Sequence, residues 1–193
     1  MKKYDLFQVD SFAKEKFRGN PAGVVLNADG LTDCQMQDIA REMNLSETAF
    51  VLSPMSSDHD VWVRYFTPTM EVPICGHATI AAHYVRALRN NIKNPMQVLA
   101  KTGAGILPVD IGIHDNDYKV TMTQGKIEYG DFIEGEEQHS LLDALGLIND
   151  DLDMSCPIQI VSTGHSKVMV GIKTIDKLNN ITPNNSALTE LSK

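Results

Sequence analysis

Apolar residues occupy every side of one predicted helix in the first half of the chain. Residues 78–89 read Ala-Thr-Ile-Ala-Ala-His-Tyr-Val-Arg-Ala-Leu-Arg, with no continuous polar face. A helix that is hydrophobic all round has to be buried all round, so we expect it to run through the middle of a sheet or barrel. Gly76 and His77 stand at its start, where the first backbone N–H groups lack intrahelical partners and the helix dipole is positive. Such an end attracts anions, which predicts the floor of a carboxylate pocket.

Alternation of apolar and polar residues predicts strands in the rest of the chain. They are expected at residues 4–12, 22–26, 48–52, 61–66, 96–100, 105–113, 118–123, 158–161 and 167–172. Thr32 and Gln35 have the spacing of a capping box and predict the start of a second helix, which ends at 44–46. Shorter helices are expected at 139–147 and from residue 188. The pattern is that of an α+β protein, rich in strands around one embedded helix.

A change in composition marks the boundary between two predicted domains. Residues 124–138 contain four glutamates, three glycines and few residues that build a core, so we interpret them as a linker. Domain 1 then covers residues 1–123, with the central helix at 78–89, and domain 2 covers residues 124–193. A chain of 193 residues is long enough for two small domains.

Composition and charge exclude several classes of partner. The sequence is 42% hydrophobic and 22% charged, which is ordinary for a folded protein. Its net charge of −8 and its lack of a basic stripe disfavour nucleic acid, and no apolar run approaches the roughly 20 residues that cross a bilayer. Residues 1–5 show no signal-peptide core, and the three cysteines, Cys34, Cys75 and Cys156, form no paired motif. We therefore expect reduced thiols in a cytoplasmic protein.

Candidate chemistry is concentrated in two short segments. Glu47 lies between a loop and an apolar strand. A partly buried carboxylate there suits a proton shuttle, whereas a glutamate at the solvent edge of the strand has no such role. His77, at a helix start, is either a hydrogen-bonded structural residue or a catalytic one. The thiol of Cys75 is a candidate nucleophile or base, or an inert buried group, and Glu71 is a second candidate carboxylate or simply part of a turn.

Patterns for a metal or a nucleotide cofactor are missing from the sequence. The other histidines show no two-ligand spacing beside a carboxylate, so a metal site is not expected. Neither a Gly-x-Gly-x-x-Gly motif after a strand nor a phosphate loop with Gly-Lys-Ser/Thr is present, so no nucleotide cofactor is expected.

Four motifs in a fixed order make the pattern specific. They are Phe-Arg-Gly-Asn-Pro-Ala-Gly-Val-Val at 17–25, Asn-Leu-Ser-Glu-Thr-Ala-Phe at 44–50, Arg-Tyr-Phe-Thr-Pro at 64–68 and Glu-Val-Pro-Ile-Cys-Gly-His-Ala-Thr at 71–79. Together they resemble the N-terminal half of the phenazine-biosynthesis PhzF-like family, within the diaminopimelate epimerase-like fold. The resemblance extends in particular to the YddE-like isomerases of that family.

The resemblance implies two similar domains, each a β-barrel around a central helix, with the active site in the cleft between them. By the match of motifs, it implies that Glu47 is the catalytic acid/base. It further implies that Gly76 and His77 line the substrate pocket and that Asn20 and Ser46 are additional polar groups that contact the substrate. The implied activity is that of an isomerase, independent of metal and cofactor, which moves a proton between carbons of a small carboxylated metabolite.

Two departures from the family pattern affect the interpretation. Epimerases of this fold have Cys-Gly-Asn-Gly with the cysteine as one of two bases, whereas Gly76-His77 follows Cys75 here, so a cysteine-based racemase or epimerase is the weaker alternative. Family members also continue past the position of Lys193, so we expect a partial chain in which the second barrel is incomplete.

An incomplete barrel has consequences for assembly and activity. It leaves strand edges and apolar surface exposed, which predicts a homodimer or a larger assembly. It also leaves a second functional hypothesis open, a non-catalytic binding or scaffold protein of the same fold, because part of the active site would be absent.

Overall fold

Two compact units make up the computed structural model, which describes residues 3–192. Unit 1 ends at Gln124 and unit 2 begins at Gly125, and the sequence places the domain boundary one residue earlier. The outer ends of the two predicted domains, residues 1 and 193, lie outside the described residues.

Unit 1 contains eight strands and two helices within its described residues. The strands are β1 (Asp5–Ser11), β2 (Asn20–Leu26), β3 (Thr48–Leu52), β4 (Val61–Phe66), β5 (Glu71–Val72), β6 (Met96–Thr102), β7 (Gly105–His114) and β8 (Asp117–Met122). The helices are α1 (Asp33–Met43) and α2 (Gly76–Asn90).

The strands of unit 1 form one mixed sheet that curls around α2. Its order is β1-β2-β3-β4-β6-β7-β8, and β5 pairs with β4. The β2–β3 and β4–β6 pairs are parallel and the others antiparallel. Helix α2 contacts β1, β2, β3, β7 and β8, so both ends of the sheet reach it. No pairing joins β1 to β8 among residues 3–124, so the barrel is open. The curled sheet around α2 confirms the predicted α+β fold with a barrel around a central helix.

Small side chains make the enclosure of α2 possible. Ala78, Ala81, Ala82 and Ala87 are completely buried, and no long side chain at these positions keeps the sheet away from the helix axis. The prediction of burial on all sides is wrong for the last turn, where Leu88 is exposed because the helix emerges from the barrel. The helix is also longer than the predicted 78–89, since it begins at Gly76 and ends at Asn90.

Helix α1 packs on the outer face of the same sheet. Its predicted capping box is present, with the Thr32 hydroxyl accepting from the Gln35 N–H and the Gln35 side chain accepting from the Thr32 N–H. Asn44 ends the helix in a left-handed conformation. Met36 and Ala40 supply the buried face, which joins a small cluster completed by Val25, Ala28, Phe50 and Phe66.

Unit 2 contains three strands and three helices within its described residues, beside a 3₁₀ turn at Asn149–Asp151. The strands are β9 (Glu128–Phe132), β10 (Gln159–Ser162) and β11 (Ser166–Met169), and the helices are α3 (Gly135–Leu145), α4 (Ile175–Asn179) and α5 (Asn185–Leu191). The antiparallel sheet has the order β11-β10-β9, which is a partial barrel at most.

The predicted linker at 124–138 is wrong. It contains β9 and the first residues of α3. Strand β9 contains one glycine and two acidic residues among its five positions, which do not suggest a strand, and it is held by backbone pairing to β10. Helix α4, which is only five residues long, was also missed.

None of the helices between residues 3 and 192 combines the length and the apolar character that crossing a bilayer requires.

A buried histidine lies in the middle of α2. The His83 side chain is completely buried, and its Nδ1 atom accepts a hydrogen bond from Arg86 at 3.2 Å. Its Nε2 atom has no hydrogen-bond partner among the described residues. Burial, with a smaller contribution from the Arg86 charge, lowers the pKa of His83 to about 3.

We expect this histidine to make unit 1 acid-sensitive. Between an unfolded-state pKa of about 6.5 and the folded value, the unfolded chain binds the extra proton, so stability falls as pH falls below about 6.5. The loss is up to about 1.4 kcal/mol per pH unit. Urea unfolding between pH 7.5 and 5 should therefore show a shallower pH dependence for His83→Gln than for the unchanged protein. Parallel stability curves for the two proteins would contradict the assignment.

Candidate functional site

The N-terminus of α2 has no side-chain cap. Cys75 is the N-cap residue, yet its side chain makes no capping hydrogen bond, and the first turn of the helix contains no acidic residue. The first-turn N–H groups therefore lack the side-chain acceptor that usually satisfies one of them. Together with the positive end of the helix dipole, they favour a negative group.

Hydrogen bonds from three strands and the helix fix the backbone at this end. The Thr79 hydroxyl and N–H both donate to the Cys75 carbonyl, at 2.6 and 3.0 Å, and the Tyr65 hydroxyl lies 2.7 Å from the Thr79 hydroxyl. The Ser11 hydroxyl, at the end of β1, donates to the His77 carbonyl at 2.7 Å. The Gly23 N–H of β2 donates to the Glu47 carbonyl at 3.1 Å, which fixes the segment before β3.

The side chain of His77 lies at the centre of a polar cluster. Its Nε2 atom is 3.5 Å from Glu47 Oε2 and 3.3 Å from the Ser46 hydroxyl. Its Nδ1 atom is 3.3 Å from Cys75 Sγ. The Glu47 side chain is 23% exposed and the His77 side chain 9% exposed, so the carboxylate is partly buried beside the imidazole and not at the solvent edge of its strand. The structure thus brings together three of the predicted site residues.

Burial decides the charge of the imidazole. It lowers the pKa of His77 below its ordinary value, although the Glu47 carboxylate and the Pro21 backbone carbonyl act in the opposite direction. At neutral pH the ring is therefore neutral, with one nitrogen as donor and the other as acceptor.

The other two predicted site residues lie at the margin of this cluster. A Cβ atom added at Gly76 would meet only the Gln124 side-chain nitrogen within 4 Å, at 3.7 Å, so packing does not require glycine there. Asn20 is exposed and pairs with Ser11 in the β1–β2 ladder, which places it next to the residue that holds the His77 carbonyl.

A metal ion fits this cluster poorly in its present arrangement. Glu47, Cys75 and His77 offer three ligand atoms that lie within 4.8 Å of one another. However, Cys75 approaches Nδ1 and Glu47 approaches Nε2, whereas an imidazole presents only one nitrogen to a given ion. At least one side chain would have to move before all three could bind the same ion.

Glu71, the second candidate carboxylate, belongs to a structural clamp outside this cluster. Both of its oxygens accept from Arg64, each at 2.7 Å, and Arg64 also donates to Asp33 at 2.6 Å. The guanidinium lies over the rings of Trp62 and Phe66. The clamp connects β5 to β4 and to α1. Glu71, its residue in β5, is four residues before Cys75.

Ser11 was missed by the sequence analysis. It is one of seven residues in an ordinary alternating strand, and its partner His77 is 66 residues away in the chain. Only its burial distinguishes it, since the other residues of the strand are exposed or half-buried.

Comparison with known proteins identifies relatives along almost the whole chain. The family described as phenazine biosynthesis-like protein (PhzC-PhzF) matches residues 9–193. An uncharacterized isomerase of Clostridium acetobutylicum is 61% identical over 193 residues, which are 100% of this chain and 64% of the relative. The uncharacterized isomerase YddE of Salmonella typhimurium is 48% identical over 191 residues, which are 99% of this chain and 63% of the relative.

Two further matches connect the chain to a named activity and to a solved structure. The trans-2,3-dihydro-3-hydroxyanthranilate isomerase of Pseudomonas fluorescens is 34% identical, over 94% of this chain and 62% of the relative. The crystal structure of a Bacillus anthracis phenazine biosynthesis protein of the PhzF family has a TM-score of 0.81 at 38% identity, over 99% of this chain and 64% of that one. These matches confirm the resemblance carried by the four motifs. The chain spans less than two thirds of the length of each of these relatives.

The contribution of the Arg64 clamp to the free energy of unfolding can be measured by substitution. Arg64→Lys keeps the charge but removes the two-point contact with Glu71 and the contact with Asp33, so we expect a loss of about 1–2 kcal/mol in urea unfolding. The control is Arg41→Lys, because the Arg41–Asp38 pair is exposed on both sides and should contribute less than about 0.5 kcal/mol. Equal effects of the two substitutions would show that the clamp adds nothing beyond a surface ion pair.

Proposed function

Because this chain belongs to the phenazine biosynthesis-like protein family, we propose that it is an isomerase that moves a proton between two carbons of a small metabolite bearing a carboxylate. The observation that carries the proposal is the partly buried Glu47 carboxylate beside His77, at the open N-terminus of α2. The chain spans 64% of its Clostridium relative. That this chain has the activity of a whole relative is therefore part of the same proposal.

Glu47 is the proposed acid/base. Its carboxylate takes a proton from one substrate carbon, and the electron pair of the broken C–H bond shifts through the adjacent π system. The carboxylic acid formed on Glu47 then returns the proton to a second carbon. Proton and electrons balance within the substrate, so the reaction requires no oxidant or reductant. His77 lies beside this carboxylate, with Nε2 3.5 Å from Oε2, and the Ser46 hydroxyl contacts the same ring nitrogen.

The carboxylate of the substrate is assigned to the end of α2. The unsatisfied N–H groups there can hold it while Glu47 faces the reacting carbons. The loop between Ser11 and Asn20 adds three cations, Lys14, Lys16 and Arg18, against a single acidic residue. In a chain with a net charge of −8, this local excess of positive charge favours an anionic substrate.

Glu47→Gln is the decisive substitution. Glutamine keeps the shape of the side chain but cannot take a proton, so we expect kcat to fall by about 10²–10⁴-fold. Trans-2,3-dihydro-3-hydroxyanthranilate, named for the Pseudomonas relative, is the first substrate to test, with deuterium uptake from heavy water measured by mass spectrometry.

Glu42→Gln, on the exposed surface of α1, is the matched control and should keep full activity. Equal turnover by Glu47→Gln and the unchanged protein would refute the role of Glu47. Binding of carboxylated ligands by calorimetry, without deuterium uptake by the unchanged chain, would instead favour the alternative hypothesis of a non-catalytic binding protein.

Self-association is a separate part of the proposal. Tyr129 and Phe132 on β9 and Met169 on β11 are exposed, and these two strands are the edges of the sheet in unit 2. Exposed apolar edge strands pair with other strands, so we expect this chain to form a dimer or larger species in light scattering. Tyr129→Lys should shift the distribution towards monomer, since lysine on an edge opposes pairing. A monodisperse monomer of the unchanged chain would contradict this expectation.

A further inference from the structure

The two ring nitrogens of His77 face different hydrogen-bonding groups. A neutral imidazole has one donor nitrogen and one acceptor nitrogen. Its Nε2 atom faces the Glu47 carboxylate, at 3.5 Å, and the Ser46 hydroxyl, at 3.3 Å. An ionised carboxylate only accepts, whereas a hydroxyl can do either. The carboxylate therefore favours the tautomer that carries the ring hydrogen on Nε2, the nitrogen nearer to Glu47.

This assignment leaves Nδ1 as an acceptor in a buried position. A buried acceptor without a donor is costly, so a donor is required on that side. Cys75 Sγ lies 3.3 Å from Nδ1. A thiol can donate there, whereas a thiolate cannot, since it has no hydrogen to give.

The backbone on both sides of this contact is fixed. Thr79 holds the carbonyl of Cys75, and Ser11 holds the carbonyl of His77. The Cys75 side chain is itself 8% exposed, so water reaches the contact poorly. The groups that face the ring are Glu47 from the segment before β3, Cys75 from the start of α2, Ser46, and the Pro21 carbonyl of β2. Of these, Glu47 is the charged one.

We propose that Cys75 is a positioning residue whose thiol donates a hydrogen bond to His77 Nδ1 and holds the imidazole in the neutral form with its hydrogen on Nε2, towards Glu47. In this arrangement the cysteine neither takes a proton from the substrate nor attacks it. Its thiol opposes protonation of Nδ1, because an Nδ1–H group would face the S–H group donor to donor. A neutral His77 places its Nε2–H on the side of Glu47, with the two atoms 3.5 Å apart, and adds no charge that would pair with the carboxylate, which remains available to take a proton.

The effect of this hydrogen bond on catalysis rests on the proposed function. Which ring nitrogen of His77 carries the hydrogen does not depend on that function. Nitrogen NMR on the protein with ¹⁵N-labelled histidine reports which ring nitrogen carries the hydrogen, without any substrate. The exposed His139 provides a reference signal from the same sample. For the unchanged protein at pH 7.5, we expect the Nε2–H form of His77. A spectrum showing hydrogen on Nδ1, donated to the sulfur or to the Pro21 carbonyl, would overturn the proposal.

Two substitutions separate the hydrogen bond from simple packing. Cys75→Ala removes the donor, and we expect the proton affinity of Nδ1 to rise by about fivefold in an NMR titration, the factor that one net hydrogen bond contributes. Cys75→Ser keeps a donor and should restore the titration of the unchanged protein to within about twofold. Identical titrations of all three proteins would refute the proposal. A rise in both variants would assign the effect to the size of the sulfur and would refute it as well.

Activity measurements then address the proposed function independently. With a turned-over substrate, Cys75→Ala should lose kcat on the acidic side of the pH profile and keep it at higher pH, while Cys75→Ser should follow the unchanged protein. If His77 shows the predicted form but Glu47→Gln keeps its activity, the positioning role stands and the proposed function fails. Loss of all turnover in Cys75→Ser, despite an unchanged NMR titration, would mean that the sulfur itself acts in the reaction and would overturn the positioning role.

Discussion

The enclosure of α2 by a curled sheet is the constraint on which the rest of unit 1 depends. A helix can approach strands on most of its circumference only if its side chains are short, and the completely buried alanines of α2 meet that condition. Because five strands contact the helix, its axis and its first turn have little freedom. The N-terminus of α2 is therefore a fixed point, and the groups that converge on it, from β1, from the segment before β3 and from β4, are fixed with it.

Residues that act locally were the ones that the sequence could predict. Thr32 and Gln35 form their capping box within one turn, and the alanine-rich run that begins at Ala78 predicts a buried helix from its composition alone. The prediction of Glu47 as acid/base likewise rests on a local motif, and the structure places its carboxylate beside His77. By contrast, β9 has one glycine and two acidic residues among five positions, and α4 is only five residues long, so neither presents a repeat from which an element is predicted.

Contacts between distant residues account for most of what the sequence did not show about the site. Ser11 and His77 are separated by 66 positions, and nothing in the alternation of β1 identifies its last residue as the support of a helix end. The role of Glu71 was undecided because its partner Arg64 is seven residues away across a turn. Cys75 and His77 are only two residues apart, yet their contact follows from the N-cap conformation of Cys75, which a sequence pattern does not specify.

The proposed site places two negative charges close together, one on Glu47 and one on the substrate. In the proposed function, a substrate carboxylate brought close to Glu47 would meet a like charge, and the repulsion is strong in a partly buried position. A protonated His77 would relieve it, but it would also pair with Glu47, the proposed base. The helix end provides another solution, since its N–H groups offer positive potential that carries no titratable proton. In the proposal the substrate carboxylate is therefore assigned to these backbone groups, while burial keeps His77 neutral.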